Sequence, residues 1–131
     1  MKAISIAVGV ITKNNRFFVS RRNANQHQGN KWEFPGGKVD ANEDVLTALC
    51  RELQEEIAID VVSATPLIDI PFTYPDKTLT LHVYLVDNFT GDAHGAEGQI
   101  TKWVTFSELC ELTFPDANVA IIDKLRSLGY Q

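Results

Sequence analysis

The clearest periodicity in the chain lies in residues 78–88, where Leu79, Leu81, Val83 and Leu85 alternate with other residues. A two-residue period puts these four on one face of a β-strand. Residues 3–12 form a partly alternating apolar run, followed by Lys13-Asn14-Asn15 and then by residues 16–21. That order predicts a strand, a turn and its hairpin partner. The polar segment 23–31 predicts a loop. Over residues 45–57 the period changes, and Leu46, Leu49, Cys50, Leu53 and Ile57 fall on one arc of a helix. Residues 61–74 predict one or two extended stretches broken by Pro66 and Pro71. Residues 90–97, with Gly91 and Gly95, predict a loop, and 100–105 a short strand. Ser107 is expected to begin a short helical turn over 106–111. Residues 115–128 predict a last helix with Val119, Ile122, Leu125 and Arg126 on nearby turns, closed by Gly129. Strands with two separated helices fit the α/β class, a mixed sheet between helices.

The chain has 131 residues, which predicts one domain spanning 1–131, able to bury roughly two thirds of its extended surface. Its net charge of -5 comes with no basic block, which argues against binding a nucleic acid polymer. A nucleotide is still accessible to an acidic protein, because a bound cation reverses the local sign. The two cysteines, Cys50 and Cys110, make no metal motif, and Cys50 on the apolar arc is expected to be buried as a small hydrophobe. Residues 3–11 are too short, and too strand-like, for a signal peptide. No apolar run is long enough to span a bilayer. A cytoplasmic monomer with no membrane partner is the expectation.

The helix over 45–57 carries more than a packing face. Asn42 is placed to cap it, with Glu43 and Asp44 favouring the positive end of its dipole. Glu52, Glu55 and Glu56 fall within about 100° of one another on the helical wheel, leaving an open carboxylate face beside the packed one. A solvated acidic face is the commoner meaning of such a pattern. Like charges three and four apart repel, however, and no lysine follows any of these acids by four residues. The pair Gly36-Gly37 upstream, read as a turn, and Arg51 inside the acidic run are not needed for a solvated face. Together they favour a device holding Mg²⁺, or Mn²⁺ in its place, against a phosphate chain, with Glu52, Glu55 and Glu56 as oxygen ligands.

Gly37, five residues, Glu43, seven residues, then Arg51-Glu52-Leu53-x-Glu55-Glu56 resembles the Nudix box, the signature of hydrolases of nucleoside diphosphates linked to another group. One position departs: the family usually has glycine where this chain has Ala58. A left-handed residue there would strain a side chain with a Cβ by roughly 1 kcal/mol. Ala7-Val8-Gly9, Ser20-Arg21-Arg22, Trp32-Glu33-Phe34-Pro35-Gly36-Gly37-Lys38, Ala96-Glu97-Gly98-Gln99 and Phe114-Pro115-Asp116-Ala117-Asn118 are similar to the branch acting on 8-oxo-dGTP. That resemblance implies an α/β/α sandwich. It also implies Mg²⁺-dependent hydrolysis of 8-oxo-dGTP to 8-oxo-dGMP and pyrophosphate, which keeps oxidised guanine out of replicated DNA.

The resemblance further implies that the Gly36 carbonyl and Glu97 join the three helix acids around the metal. The general base is open among Glu52, Glu43 and Glu97. Arg51 is expected to orient Glu43 or the loop by a bidentate contact, and Lys38 to meet phosphate oxygens. Arg22, His27, Glu33, Phe34, Pro35 and Gly36 are the substrate-side candidates. Asn118 is the specificity candidate, since its amide carries both a donor and an acceptor. Guanine offers two adjacent acceptors, N7 and O6, whereas in 8-oxoguanine N7 carries hydrogen and the edge becomes donor plus acceptor. The plainer role for Asn118 is to cap the last helix. Two rival functions differ in kind. One is hydrolysis of CTP or a methylated pyrimidine nucleotide, kept open by Lys77 and His94 in loops where that branch has other residues. The other is a non-catalytic binding module, which would be expected to lose box acids that this chain retains.

Overall fold

The computed structural model of the protein describes residues 2–21 and 31–131. Among these, seven strands form one mixed sheet: β1 (Lys2–Lys13), β2 (Arg16–Arg21), β3 (Trp32–Glu33), β4 (Gly36–Lys38), β5 (Asp60–Tyr74), β6 (Lys77–Thr90) and β7 (Thr101–Thr105). The spatial order is β3-β2-β1-β6-β5, with β4 added to β1 and β7 to β2. The central pair β1 and β6 is parallel and the other pairings are antiparallel. Three helices cover the sheet: α1 (Val45–Ile57), α2 (Phe106–Glu111) and α3 (Asp116–Ser127).

Alternation along β1 and β2 divides the core in two. Val8, Val10, Phe17 and Val19 point to one side, where they pack with Leu109 of α2 and Ile121 and Leu125 of α3. Ala7, Ile11 and Phe18 point to the other, against Leu49, Leu53 and Ile57 of α1. Burial on both faces explains why β1 reads as a continuous apolar run. The expected α/β/α sandwich is therefore the observed fold.

Several local expectations need correction. Pro66 and Pro71 do not break the strand; β5 runs unbroken as an edge strand, where a missing N–H is tolerated. Its irregularity appears as register shifts between Val61 and Ser63, Ser63 and Thr65, and Pro66 and Ile68. The segment Gly36-Gly37-Lys38 is not a turn but the strand β4, with Gly36 opposite Val8 and Gly37 opposite Ala7. Asp44, not Asn42, caps α1, its carboxylate accepting from the Thr47 N–H at 2.7 Å. That bond holds the Asp44 carboxyl below its ordinary pKa. Asn42 sits outside the helix in the left-handed region at φ 73°. Thr105, not Ser107, starts α2, through a capping box with Glu108.

The helical faces are also rotated from the sequence reading. Leu46 is 46% exposed and Cys50 only half-buried, while Ala48 is fully buried. Burial nonetheless pushes the Cys50 thiol up from its ordinary pKa. The buried stripe of α1 is thus turned toward the carboxylates. Glu56 lies seven residues from buried Leu49, within about 20° of it on the wheel, so the acidic face is not open to solvent along its whole width. In α3, Val119 is 51% exposed. It lies about 160° around the helix from Ile121, whereas Ile121, Ile122 and Leu125 are buried.

Helix α1 ends at Ala58, which takes the left-handed conformation at φ 61° and ψ 36°. Its N–H still reaches the Gln54 carbonyl at 3.1 Å. Ala58→Gly is accordingly expected to stabilise the protein by up to about 1 kcal/mol. Urea denaturation with an unchanged m-value measures this, and a lower midpoint would show that the Cβ packs more than it strains.

Candidate active site

β4 and α1 together build the site. Gly36 must be glycine, because a Cβ there would run into the Ala7 carbonyl of the neighbouring strand. Its N–H donates to Glu56 Oε2 at 3.0 Å. Gly37 leaves space that the Glu52 carboxylate occupies, and a Cβ would collide with that group. The strand therefore presents one N–H and one gap to two carboxylates from the facing helix. Gly37→Ala is expected to displace the Glu52 carboxylate, the movable end of a side chain, rather than unfold the sheet. Turnover should fall about 10–100-fold, the range for a shifted metal-ligand environment, with little change in Tm. Wild-type turnover in the folded variant would remove Glu52 from the reaction.

Arg51 is the hub of the acidic side. Its Nη2 reaches Glu43 Oε1 at 2.6 Å and its Nε reaches Glu43 Oε2 at 3.1 Å, a two-pronged contact. Its Nη1 donates to Glu52 Oε1 at 3.0 Å and to Glu55 Oε2 at 3.4 Å. Nη2 also reaches the Lys38 carbonyl at 3.2 Å. The bidentate contact expected between Arg51 and Glu43 is present. The Arg51 hydrogen bonds, reinforced by the Asp40 N–H, hold the Glu43 carboxyl down at about 2. The same contacts keep the guanidinium more firmly protonated than usual, Glu43 first.

Glu56 is in the opposite electrostatic position. Burial, with the charges of Glu52, Glu33 and Glu97, pushes its carboxyl up to about 8, opposed by the Gly36 N–H. Among the described residues no three acidic, histidine or cysteine side chains converge closely enough to hold a metal ion. Glu52 and Glu55 lean on Arg51 and Glu56 on Gly36. The donor set nevertheless fits a hard divalent cation. It is all oxygen, and Glu56 stands in a field of like charge that a cation would reverse.

A cleft of about 710 Å³ runs from this acidic end to the start of α3. Glu33, Gly36, Gly37 and Glu56 line it together with Asn118. Phe34 forms part of the wall and stacks on Phe114 with ring centroids 5.3 Å apart. Phe72 and Tyr74, a second stacked pair at 6.4 Å, line the cleft from β5. The sequence reading did not single out this second pair, because only the pairing of β5 with β6 carries it there. Pro35 is buried between the lining residues Phe34 and Gly36 and does not itself line the cleft; its carbonyl accepts from the Gly9 N–H at 2.8 Å. Lys38 is exposed beside the site, and Glu97 is exposed on the loop before β7. Pro115 occupies the N-cap position of α3, and the Asn118 N–H bonds the Pro115 carbonyl at 2.9 Å. Asn118 therefore lies in the first turn of the helix and does not cap it. Arg22 and His27 lie outside the described residues. A second cavity, of about 500 Å³ beside Lys13, Phe89 and Trp103, contains none of these residues.

A glycine strand set against an acidic, arginine-braced helix on an α/β/α sandwich defines a Nudix hydrolase. The chain belongs to that family, and the sequence model of the NUDIX domain matches residues 7–124. Over 129 residues it is 40% identical to the 8-oxo-dGTP diphosphatase of Escherichia coli K12, covering 98% of this chain and 100% of that relative. It is 27% identical over 128 residues to the CTP pyrophosphohydrolase of the same bacterium, covering 98% of this chain and 95% of the relative. Among solved structures it is similar to one from a study of MutT from Aliivibrio salmonicida and Vibrio cholerae, with a TM-score of 0.85 and 34% identity over 97% of this chain and 99% of that one.

Proposed function

We propose that this protein hydrolyses 8-oxo-dGTP to 8-oxo-dGMP and pyrophosphate, acting as a single-domain monomer on free nucleotide in the cytoplasm. The observation that carries the reading is the single cleft joining Glu56 and Gly36 to Asn118. In this reading the phosphates lie by Glu56 and Gly36 and the base by Asn118, residues that share one ligand-sized surface. The higher identity to 8-oxo-dGTP diphosphatase than to CTP pyrophosphohydrolase supports the same choice of substrate. Among the described residues, no helix is long and apolar enough to cross a membrane.

In this reading Glu52, Glu55, Glu56, Glu97 and the Gly36 carbonyl hold Mg²⁺, for which Mn²⁺ can substitute. The ion, when bound, neutralises phosphate charge and lowers the pKa of a coordinated water. The protein's own part is positioning. Arg51 fixes Glu43 and Glu52, and Gly36 fixes Glu56. One of Glu52, Glu43 and Glu97 takes the proton of the attacking water. Lys38, Arg22 and His27 meet the phosphate and sugar side of the substrate. Glu33 and Phe34 wall the cleft, Pro35 lies buried between Phe34 and Gly36, and Asn118 reads the base. Pyrophosphate release from 8-oxo-dGTP, dGTP, CTP and a methylated pyrimidine nucleotide, with and without Mg²⁺, tests the proposal. The expected result is Mg²⁺-dependent release with 8-oxo-dGTP far ahead. A lead for CTP would replace the substrate, and silence on all four would leave a binding module.

A further inference from the structure

We propose that Gln99 is a positioning residue that sets Glu97 against the Glu56 end of the cleft. The inference rests on the reading that Glu97 takes part in hydrolysis.

Helix α1 stops at Ile57, and the carbonyls of its last turn need partners from elsewhere. The loop before β7 supplies them. The His94 N–H bonds the Ile57 carbonyl at 3.1 Å, and the Ala96 N–H bonds the Glu56 carbonyl at 3.0 Å. The Gln99 Nε2 donates to the same Glu56 carbonyl at 2.9 Å. Its Oε1 accepts from the Glu97 N–H at 2.9 Å. One primary amide thus links the backbone of the buried helix acid to the backbone of the loop acid. Both halves of the amide are used. A carboxylate could make only the acceptor bond, and an alkyl side chain neither.

The loop is shaped around this link. Gly95 has no room for a Cβ, because the Gln99 carbonyl fills the space. Gly98, at φ 84°, donates to the Gly95 carbonyl at 3.0 Å and turns the chain between Glu97 and Gln99. Glu97 is exposed and lies on a loop. Without the Gln99 link, the loop would keep the His94 and Ala96 bonds to α1, both on the N-terminal side of Glu97. Neither Gln99, which is half-buried, nor Glu97 lines the cleft; the Glu97 charge acts on Glu56, which does line it, so the effect of Gln99 on substrate passes through Glu97 to the Glu56 side.

The test is a double-mutant cycle between Gln99→Leu and Glu97→Gln. Gln99→Leu should lower kcat about tenfold, in the range for a residue that orients a metal ligand, with KM for 8-oxo-dGTP and Tm nearly unchanged. Amide hydrogen exchange over residues 94–99 should speed up. In the Glu97→Gln background, Gln99→Leu should produce no further loss. Should Gln99→Leu fold poorly, Gln99→Glu keeps the acceptor bond to Glu97 and still loses the donor bond to Glu56, and the same cycle applies. Equal losses in both backgrounds would overturn the proposal by showing that Gln99 acts independently of Glu97. So would wild-type kcat in Gln99→Leu alongside an impaired Glu97→Gln. Wild-type kcat in Glu97→Gln would instead remove the underlying role of Glu97, leaving Gln99 nothing to position.

Discussion

Glu56→Gln should leave a folded protein that hydrolyses 8-oxo-dGTP more than about 100-fold more slowly at saturating Mg²⁺. Changes to the partners of a metal ligand cost about 10–100-fold, and loss of the ligand's own charge should exceed that. The substitution keeps the volume of the side chain and an acceptor for the Gly36 N–H, which lies 3.0 Å from Glu56 Oε2. Stability should not suffer. In the metal-free protein the Glu56 carboxyl is raised from 4.5 to about 8, burial being the main cause. A carboxyl raised on folding destabilises its charged form, so its protonated form is favoured, and this penalty grows as pH rises through that window. An uncharged amide avoids it, and Tm at neutral pH should hold or rise. Steady-state kinetics beside a thermal melt checks both halves. Unchanged turnover would reject Glu56 as a required ligand, and a collapsed melt would make it a folding residue.

The second large effect concerns substrate choice. Asn118→Ala should shrink the preference for 8-oxo-dGTP over dGTP about 5- to 150-fold in kcat/KM. That is the range corresponding to an unmatched buried pair worth about 1–3 kcal/mol. The oxidised base loses two bonds in the mutant and guanine only one, so the two substrates should fall unequally. The change should appear mostly in affinity, because the base is remote from the scissile bond. Slow Mg²⁺-dependent hydrolysis of dGTP should persist, since the acidic helix is untouched. The structure sharpens this test. Pro115 holds the N-cap position and Asn118 lies in the first turn with its side chain lining the cleft. A loss through a broken cap is therefore not expected. Parallel losses for both nucleotides would mean that Asn118 shapes the cleft without reading the base.

In the proposed reading the cleft serves both the base and the phosphates. Phe34, Phe72 and Tyr74, which line it, supply the apolar wall on which a purine ring would be buried. Glu33, Glu56 and Gly36 line the same cleft, with the Gly36 N–H bonded to Glu56. Arg51 pairs with Glu43, Glu52 and Glu55 and so ties Glu43 to the acidic helix.

The sequence by itself determined what short-range chemistry controls. The helix from Val45 to Ile57 was legible to the residue, because helical bonds join residues four apart, whereas the left-handed conformation of Ala58 at its exit was decided by the structure. The alternation in β6 followed from side-chain period alone, and the apolar run of β1 marked a buried strand, whose burial on both faces the structure showed. The spacing from Gly37 to Glu56 carried the resemblance to the family, with Arg51 expected to meet Glu43 or the loop; it meets Glu43 and also the Lys38 carbonyl. Tertiary structure decided the rest. Whether Gly36-Gly37 is a turn or a strand depends on pairing with β1, far back in the chain. That pairing puts the Gly36 N–H on Glu56, twenty residues away, and draws the acid out of water. Pro66 and Pro71 read as breaks until β5 takes the edge of the sheet, where no partner requires their missing N–H. The tie from Gln99 to the Glu56 carbonyl spans 43 residues. No local pattern encodes it, because the carbonyl it satisfies is left unbonded only where a helix ends, and only the folded chain brings a loop there.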